Sequence, residues 1–194
     1  MARVADLLFE LALEHDGVFT AKDAKLAGVS PHALLQAERR GNVRRLSRGI
    51  YHFENYPADS ERSQLWEAVL WPGVYRAEGE SHDVALSHVT ALRLHHPLIE
   101  YTPPKIDITI TSRRRVRRNV PSWLVPHFAN IDKADICENF GGLPVTSLTR
   151  TLWDCIESNI DRRMIRDVLR AARDERLTEN VDPSALRRIR KAIE

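Results

Sequence analysis

The chain is short of cysteine and has no long apolar run, and each shortage removes a class of protein. Cys137 and Cys155 are the two cysteines among 194 residues, far apart and without metal-type spacing. They support neither a disulfide framework nor a thiolate zinc site, and a free thiol is the expectation for each. No stretch approaches the ~20 apolar residues of a membrane span. The first residues, Met1-Ala2-Arg3-Val4-Ala5-Asp6, lack a signal-peptide core, so cytoplasmic residence is expected. There is no Gly-rich phosphate loop, no internal repeat and no low-complexity tract. Nuclease carboxylates are missing too. Asp107 lies on an expected strand, but no Asp/Glu-x-Lys follows on a neighbouring one. His82, His88, His95 and His96 match no standard zinc pattern. The expectation is therefore a non-enzyme with no metal and no cofactor.

What the chain does have is concentrated in residues 17–53. Val4, Leu7, Leu8 and Leu11 give a first helix one apolar face, and Gly17 ends it. Thr20 with Asp23 three residues on is a capping box for a second helix, whose inward candidates are Ala24 and Leu26. Gly28-Val29-Ser30 is a turn short enough to force a steep crossing into a third helix, which Pro31 opens and Gly41 breaks. On that helix Leu34 and Ala37 point one way, and His32, Gln36 and Arg39 another. Two β-prone runs around Ser47-Arg48-Gly49 then make a hairpin wing. This order is the plan of a winged helix-turn-helix. Over residues 31–53 five arginines against the lone Glu38 give +4, while the whole chain carries +2. Charge is thus concentrated where a nucleic acid would sit. The predicted DNA contacts are His32, Gln36, Arg39 and Arg40 toward bases, with Arg44, Arg45 and Arg48 on phosphates.

A hydrophobic fraction of 43% suffices for a second core beyond residue 55. Ser60 or Ser63 can cap a helix carrying Leu65, Trp66, Val69 and Leu70, which Trp71-Pro72-Gly73 ends. Ser87 can cap another, with His88 as a packed or hydrogen-bonded neighbour. Ile106, Ile108 and Ile110 alternate with Asp107, Thr109 and Thr111, as a half-buried strand does. Trp123, Val125 and His127 read as a returning strand, which puts the basic run Arg113, Arg114, Arg115, Arg117 and Arg118 on a hairpin or its loop. That run is a candidate contact for a polyanion or an acidic partner. Leu143 to Thr146 is a short strand. Ser147 to Ser158 is a helix with Leu148, Leu152, Trp153 and Ile156 inward and an Arg150–Asp154 salt bridge. Two helices close the chain, one burying Ile165, Val168, Leu169 and Ala172, the other capped by Asp182 and opened by Pro183. The expected class is α+β: a winged helix-turn-helix over residues 1–55, then a mixed α/β domain over residues 56–194 with a small sheet and C-terminal helices.

Three motifs in order give a family resemblance. The N-terminal pattern, Gly17-Val18-Phe19-Thr20, Ala27-Gly28-Val29-Ser30, Arg40-Gly41 and Arg48-Gly49-Ile50-Tyr51, resembles the winged module of AbiEi-type antitoxins. Leu86-Ser87-His88-Val89-Thr90-Ala91-Leu92 is similar to the family's Ser-His-x-Ser/Thr-Ala signature. Leu143-Pro144-Val145-Thr146-Ser147, running into Arg150-Thr151-Leu152-Trp153-Asp154, is similar to its Pro-Val-Thr…Arg-Thr-Leu-x-Asp element. Glu38 departs from the pattern, standing where the family often has an apolar residue. The resemblance implies an antitoxin of a type IV toxin–antitoxin, or abortive-infection, system. Such a protein represses its operon by binding inverted repeats in the promoter, as a monomer or a weak dimer assembling on DNA. It counteracts a nucleotidyltransferase toxin, without a stable complex. A ligand-responsive winged-helix regulator unrelated to a toxin is the competing reading.

Overall fold

The computed structural model describes residues 3–56, 60–75, 83–96, 105–111, 119–137, 140–174 and 183–193. The chain forms two compact units, Met1–Gly73 and Val74–Glu194. The class is α+β. No helix among the described residues is long and apolar enough to cross a membrane.

The first unit runs α1 (Val4–Glu14), β1 (Val18–Thr20), α2 (Ala21–Leu26), α3 (Pro31–Arg39), β2 (Val43–Ser47), β3 (Ile50–Phe53) and α4 (Ser60–Leu70). The three strands form one antiparallel sheet in the order β1-β3-β2. Its core joins Leu8 and Ala12 of α1 to Phe19, Ala24, Val29, Leu34, Ala37, Val43 and Phe53. The predicted α1 face is shifted by one step: Leu7 and Leu11 are partly buried, and Val4 is 38% exposed. On α2 the sequence expectation holds for Ala24 and fails for Leu26, which is 78% exposed. A six-residue helix has one inward side, and Ala24 occupies it. The predicted caps form. Asp23 N–H donates to Thr20 Oγ1 and Thr20 N–H to the Asp23 carboxylate, each at 3.1 Å. Ser30 Oγ accepts from Ala33 N–H, with Pro31 at the first helical position.

The sequence division after residue 55 leaves α4 in the second domain, whereas the compact unit holds it in the first. The reason is a polar knot at Asp16. Its Oδ2 accepts from Arg62 Nε and the Trp66 indole, each at 2.9 Å, and its carbonyl accepts from the Ser63 hydroxyl at 2.8 Å. Ser63 is therefore an interior anchor of α4, and the helix begins at Ser60.

The second unit carries β4 (Val84–Leu86), α5 (His88–His95), β5 (Ile106–Ile110), β6 (Leu124–Phe128) and a 3-10 turn at Lys133–Asp135. There follow β7 (Ile136–Cys137), β8 (Val145–Thr146), α6 (Leu148–Glu157), α7 (Arg162–Asp174) and α8 (Pro183–Ile193). The strands order as β6-β5-β4-β8-β7. One expectation is overturned here: β5 and β6 pair in parallel, Ile106 beside Leu124 and Ile110 beside Phe128, so they are not a hairpin. Parallel neighbours need a crossover of about a dozen residues, which the intervening stretch supplies. The arginines of residues 113–118 lie outside the described residues.

Leu92, Leu148, Leu152, Cys155, Ile165, Val168, Leu169, Ala172, Ile189 and Ile193 form the helical core of this unit. On α6 the sequence put Trp153 and Ile156 inward; both are partly buried, while Asp154 and Cys155 take the interior positions. Asp182 lies outside the described residues.

Candidate nucleic-acid interface

α3 is held by its apolar side and presents the other. Leu34 and Ala37 are buried at 5% and 6% exposure, and Val29 at 3% fixes the turn before them. His32, Arg39 and Arg40 are exposed, and Gln36 is half-buried. Leu35, 42% exposed, lies between His32 and Arg39 on the same side. The sequence reading passed over it. Its offset of three from His32 and four from Arg39 was the available signal.

The wing is the β2–β3 hairpin. Arg48 and Gly49 make its turn, with Gly49 at φ +79°, and the Gly49 carbonyl accepts from Ala21 N–H at 2.9 Å, fastening the wing tip to the start of α2. A register shift between Arg45 and Ser47 bends β2 near this tip. Adjacent strand residues face opposite ways, so Arg44 and Arg45 diverge. Arg45, paired with Tyr51, is exposed, and its Nε donates to the Ser47 carbonyl at 3.3 Å. Arg44 is paired across the strands with His52, and its Nε lies 2.7 Å from Glu54 Oε1. Glu67 is close enough to feel its charge. Burial raises the Glu67 carboxyl, partly offset by the nearby Ser47 hydroxyl and by Arg44. Burial first, and Arg44 second, push the His52 imidazole below its ordinary range. Thus Arg44 is exposed like Arg39, Arg40, Arg45 and Arg48 on α3 and the wing, and differs in that its guanidinium is engaged by Glu54.

The second unit gathers the two remaining motifs into one polar cluster. His88 opens α5 at φ +50°, a conformation rare for a residue with a Cβ. Ser87 does not cap α5 through its side chain; its Oγ sits 2.9 Å from His88 Nδ1. The His88 ring stacks on His127 of β6 at 3.5 Å, and His127 Nε2 lies 2.9 Å from Asp107 Oδ1 on β5. Thr90 Oγ1 accepts from Asp107 N–H at 2.8 Å, tying α5 to the same strand. Arg150 donates from Nε to Asp154 at 2.8 Å, and from its terminal nitrogen to Asp135 at 2.9 Å and the Asn130 carbonyl at 3.0 Å. The predicted Arg150–Asp154 bridge is thus present, with two further acceptors that no local spacing announced.

Burial, with the charges of His127 and Arg150, lowers His88 to about 4 against the pull of Asp107. Burial raises the Asp154 carboxyl, and Arg150 only partly offsets this. Ser87 is fully buried, so a reactant has no path to its hydroxyl. Burial pushes the Cys155 thiol up to about 12, far from a nucleophile's range. Among the described residues no group of three or more His, Cys, Asp or Glu is placed to hold a metal ion. The chemistry of this cluster is that of an internal fastener joining α5, β5, β6 and α6.

A three-helix core with an exposed basic α3 and a basic β-hairpin defines the winged helix-turn-helix class. The family model of AbiEi antitoxin transcriptional regulators matches residues 6–53, which bears out the resemblance over that stretch and supports a regulator of the antitoxin kind. No curated protein matches the chain. Among solved structures it is similar to the RV2827C protein from Mycobacterium tuberculosis, at 16% identity and a TM-score of 0.48, covering 100% of this chain and 77% of that one.

Proposed function

We propose that this chain is an antitoxin that also represses its own transcription. The observation that carries the reading is the division of α3, apolar residues inward and His32, Arg39 and Arg40 outward, inside the stretch that matches the antitoxin regulators. In this reading α3 enters the major groove. Gln36 suits adenine, Arg39 suits guanine, and the Leu35 side chain meets a thymine methyl. His32 and Arg40 reach toward bases beside them, and Arg45 and Arg48 hold the flanking phosphates. Arg44, engaged by Glu54, reaches a phosphate by exchanging that partner. One module covers few base pairs, so specificity comes from two half-sites of an inverted repeat, filled by monomers or a weak dimer. Residues 1–55 serve DNA, and residues 56–194 counter a nucleotidyltransferase toxin without a stable complex. The protein works in the cytoplasm and catalyses no reaction.

The test has two arms. Footprinting on the DNA upstream of the gene should show paired protected half-sites. Co-expression with a neighbouring nucleotidyltransferase should restore growth, and a chain lacking the first compact unit, residues 1–73, should restore it as well. No footprint overturns the repressor half; no rescue by the intact chain overturns the antitoxin half. DNA release by a small metabolite, with no effect on a toxin, would favour a ligand-responsive regulator.

A further inference from the structure

We propose that the cleft between α7 and α8 binds the clustered phosphates of a small anionic ligand, such as the triphosphate of a free nucleotide. This site belongs to the second unit and stands whether or not the winged module binds DNA. The cleft has a volume of about 260 Å³ and is lined by Arg166, Leu169, Arg170 and Arg173 of α7 and by Arg190 and Ile193 of α8. On α7 the lining residues recur at steps of three and four, which is one stripe of the helix. Arg190 brings a fourth guanidinium from the other helix.

Such convergence is unfavourable unless something answers it. Like charges four apart on a helix repel, as Arg166 and Arg170 do. Asp167 lies 3.7 Å from Arg170, with both side chains more than 70% exposed. An exposed pair of that length contributes little. No ion pair engages Arg166, Arg173 or Arg190 among the described residues. α7 and α8 together carry nine basic and two acidic residues, and over residues 162–194 the balance is ten basic to six acidic, so the charge there is net positive.

The shape selects the ligand. The three α7 arginines span seven residues, about 10 Å of helix, and share one open cleft with Arg190. A nucleic-acid strand is tracked by cations strung along an extended path, whereas these four line one short cleft. A triphosphate carries roughly four negative charges near neutral pH, and guanidinium forks match phosphate oxygens two at a time. Leu169 and Ile193, 8% and 4% exposed, form an apolar floor that excludes water from under the phosphates.

The experiment is calorimetric titration of the full chain with inorganic tripolyphosphate, without magnesium, at fixed ionic strength. One-to-one binding and a raised Tm are expected. The double variant Arg170→Glu/Arg173→Glu should weaken binding at least about tenfold. The control Arg187→Glu/Lys191→Glu makes the same charge change on α8 outside the cleft and should leave affinity within about twofold. Arg188 is left intact because its guanidinium lies 5.3 Å from the Trp153 ring centre. Equal losses in both doubles would mean diffuse charge and would overturn the proposal. So would absent tripolyphosphate binding alongside single-strand DNA binding that the cleft variant loses, since the phosphates would then belong to a nucleic acid. Circular dichroism of both doubles separates lost binding from lost fold.

Discussion

In the first unit the cations at the end of α3 are left at the surface, whereas in the second the cation of the Arg-Thr-Leu motif is engaged by its own fold. Arg39 and Arg40 are exposed, while Arg150 is 19% exposed and shared among Asp154, Asp135 and the Asn130 carbonyl. Arg40 and Arg150 are both arginines in a family-like motif. What distinguishes them is partnering: a guanidinium saturated by internal acceptors fixes structure, and one facing solvent beside others of its sign is free to meet an anion.

The sharpest way to break this comparison is to remove one arginine from each unit. Arg150→Met leaves Asp154 buried without its partner, and losing one member of such a pair costs about 3–5 kcal/mol. Chemical denaturation should show the second unit destabilised or unfolded. Arg39→Met should leave stability within about 0.5 kcal/mol and weaken operator binding. Equal stability losses would erase the distinction.

Acid is the next largest effect. His88 sits near 4 in the fold and near 6.5 when unfolded, so between those values the unfolded chain binds more protons. Stability is fully present above pH 6.5 and falls as pH drops toward 4, by up to about 3 kcal/mol from this group. His95, lowered chiefly by burial, acts in the same direction, and Asp154, raised by burial, opposes both. His88→Asn tolerates the left-handed backbone and should flatten the slope. An unchanged slope would place the acid sensitivity elsewhere.

A backbone substitution sharpens the contrast from the first unit. Gly17 has φ +90°, and a Cβ there would stand 2.6 Å from His52 Nε2. Gly17→Ala should cost about 1–2 kcal/mol in backbone strain alone, with more from the imidazole that must move. The loss should appear in the first unit's unfolding and in DNA binding. The smallest expected effect concerns Leu35. Replacing operator thymines by uracil removes only methyl groups, and one buried methyl is worth ~0.8 kcal/mol, or about fourfold in affinity. Leu35→Ala should bind both duplexes alike. DNA binding that ignores the methyls would remove Leu35 from the reading while leaving the rest intact.

The first unit was largely legible because its signals are local. Thr20 with Asp23, Ser30 with Pro31, and the Arg48-Gly49 turn each specify a terminus or a turn within four residues. The apolar spacing of Leu34 and Ala37 then aims α3. The second unit was legible in its elements but not in its pairing. Asp107 and His127 meet because β5 and β6 run parallel, and no short-range pattern distinguishes that from a hairpin. The same holds for Asp135, brought to Arg150 by a turn 15 residues upstream. Leu26 misled the reading because an apolar residue on a short helix need not be inward. Arg44 was counted as a phosphate contact on charge alone; Glu54, ten residues away across the hairpin, is visible only once the register is known.

The most direct test of the DNA interface is the affinity of the full chain for its promoter repeat across a salt series, with and without Gln36→Ala/Arg39→Ala. The intact chain should weaken steeply as salt rises, and losing Arg45 or Arg48 should reduce the log–log slope by about one unit each. The Gln36/Arg39 variant should keep the slope and lose preference for the repeat over unrelated DNA. Affinity that is flat in salt, or a variant that prefers the repeat as strongly as the intact chain does, would contradict the placing of α3 and the wing on DNA.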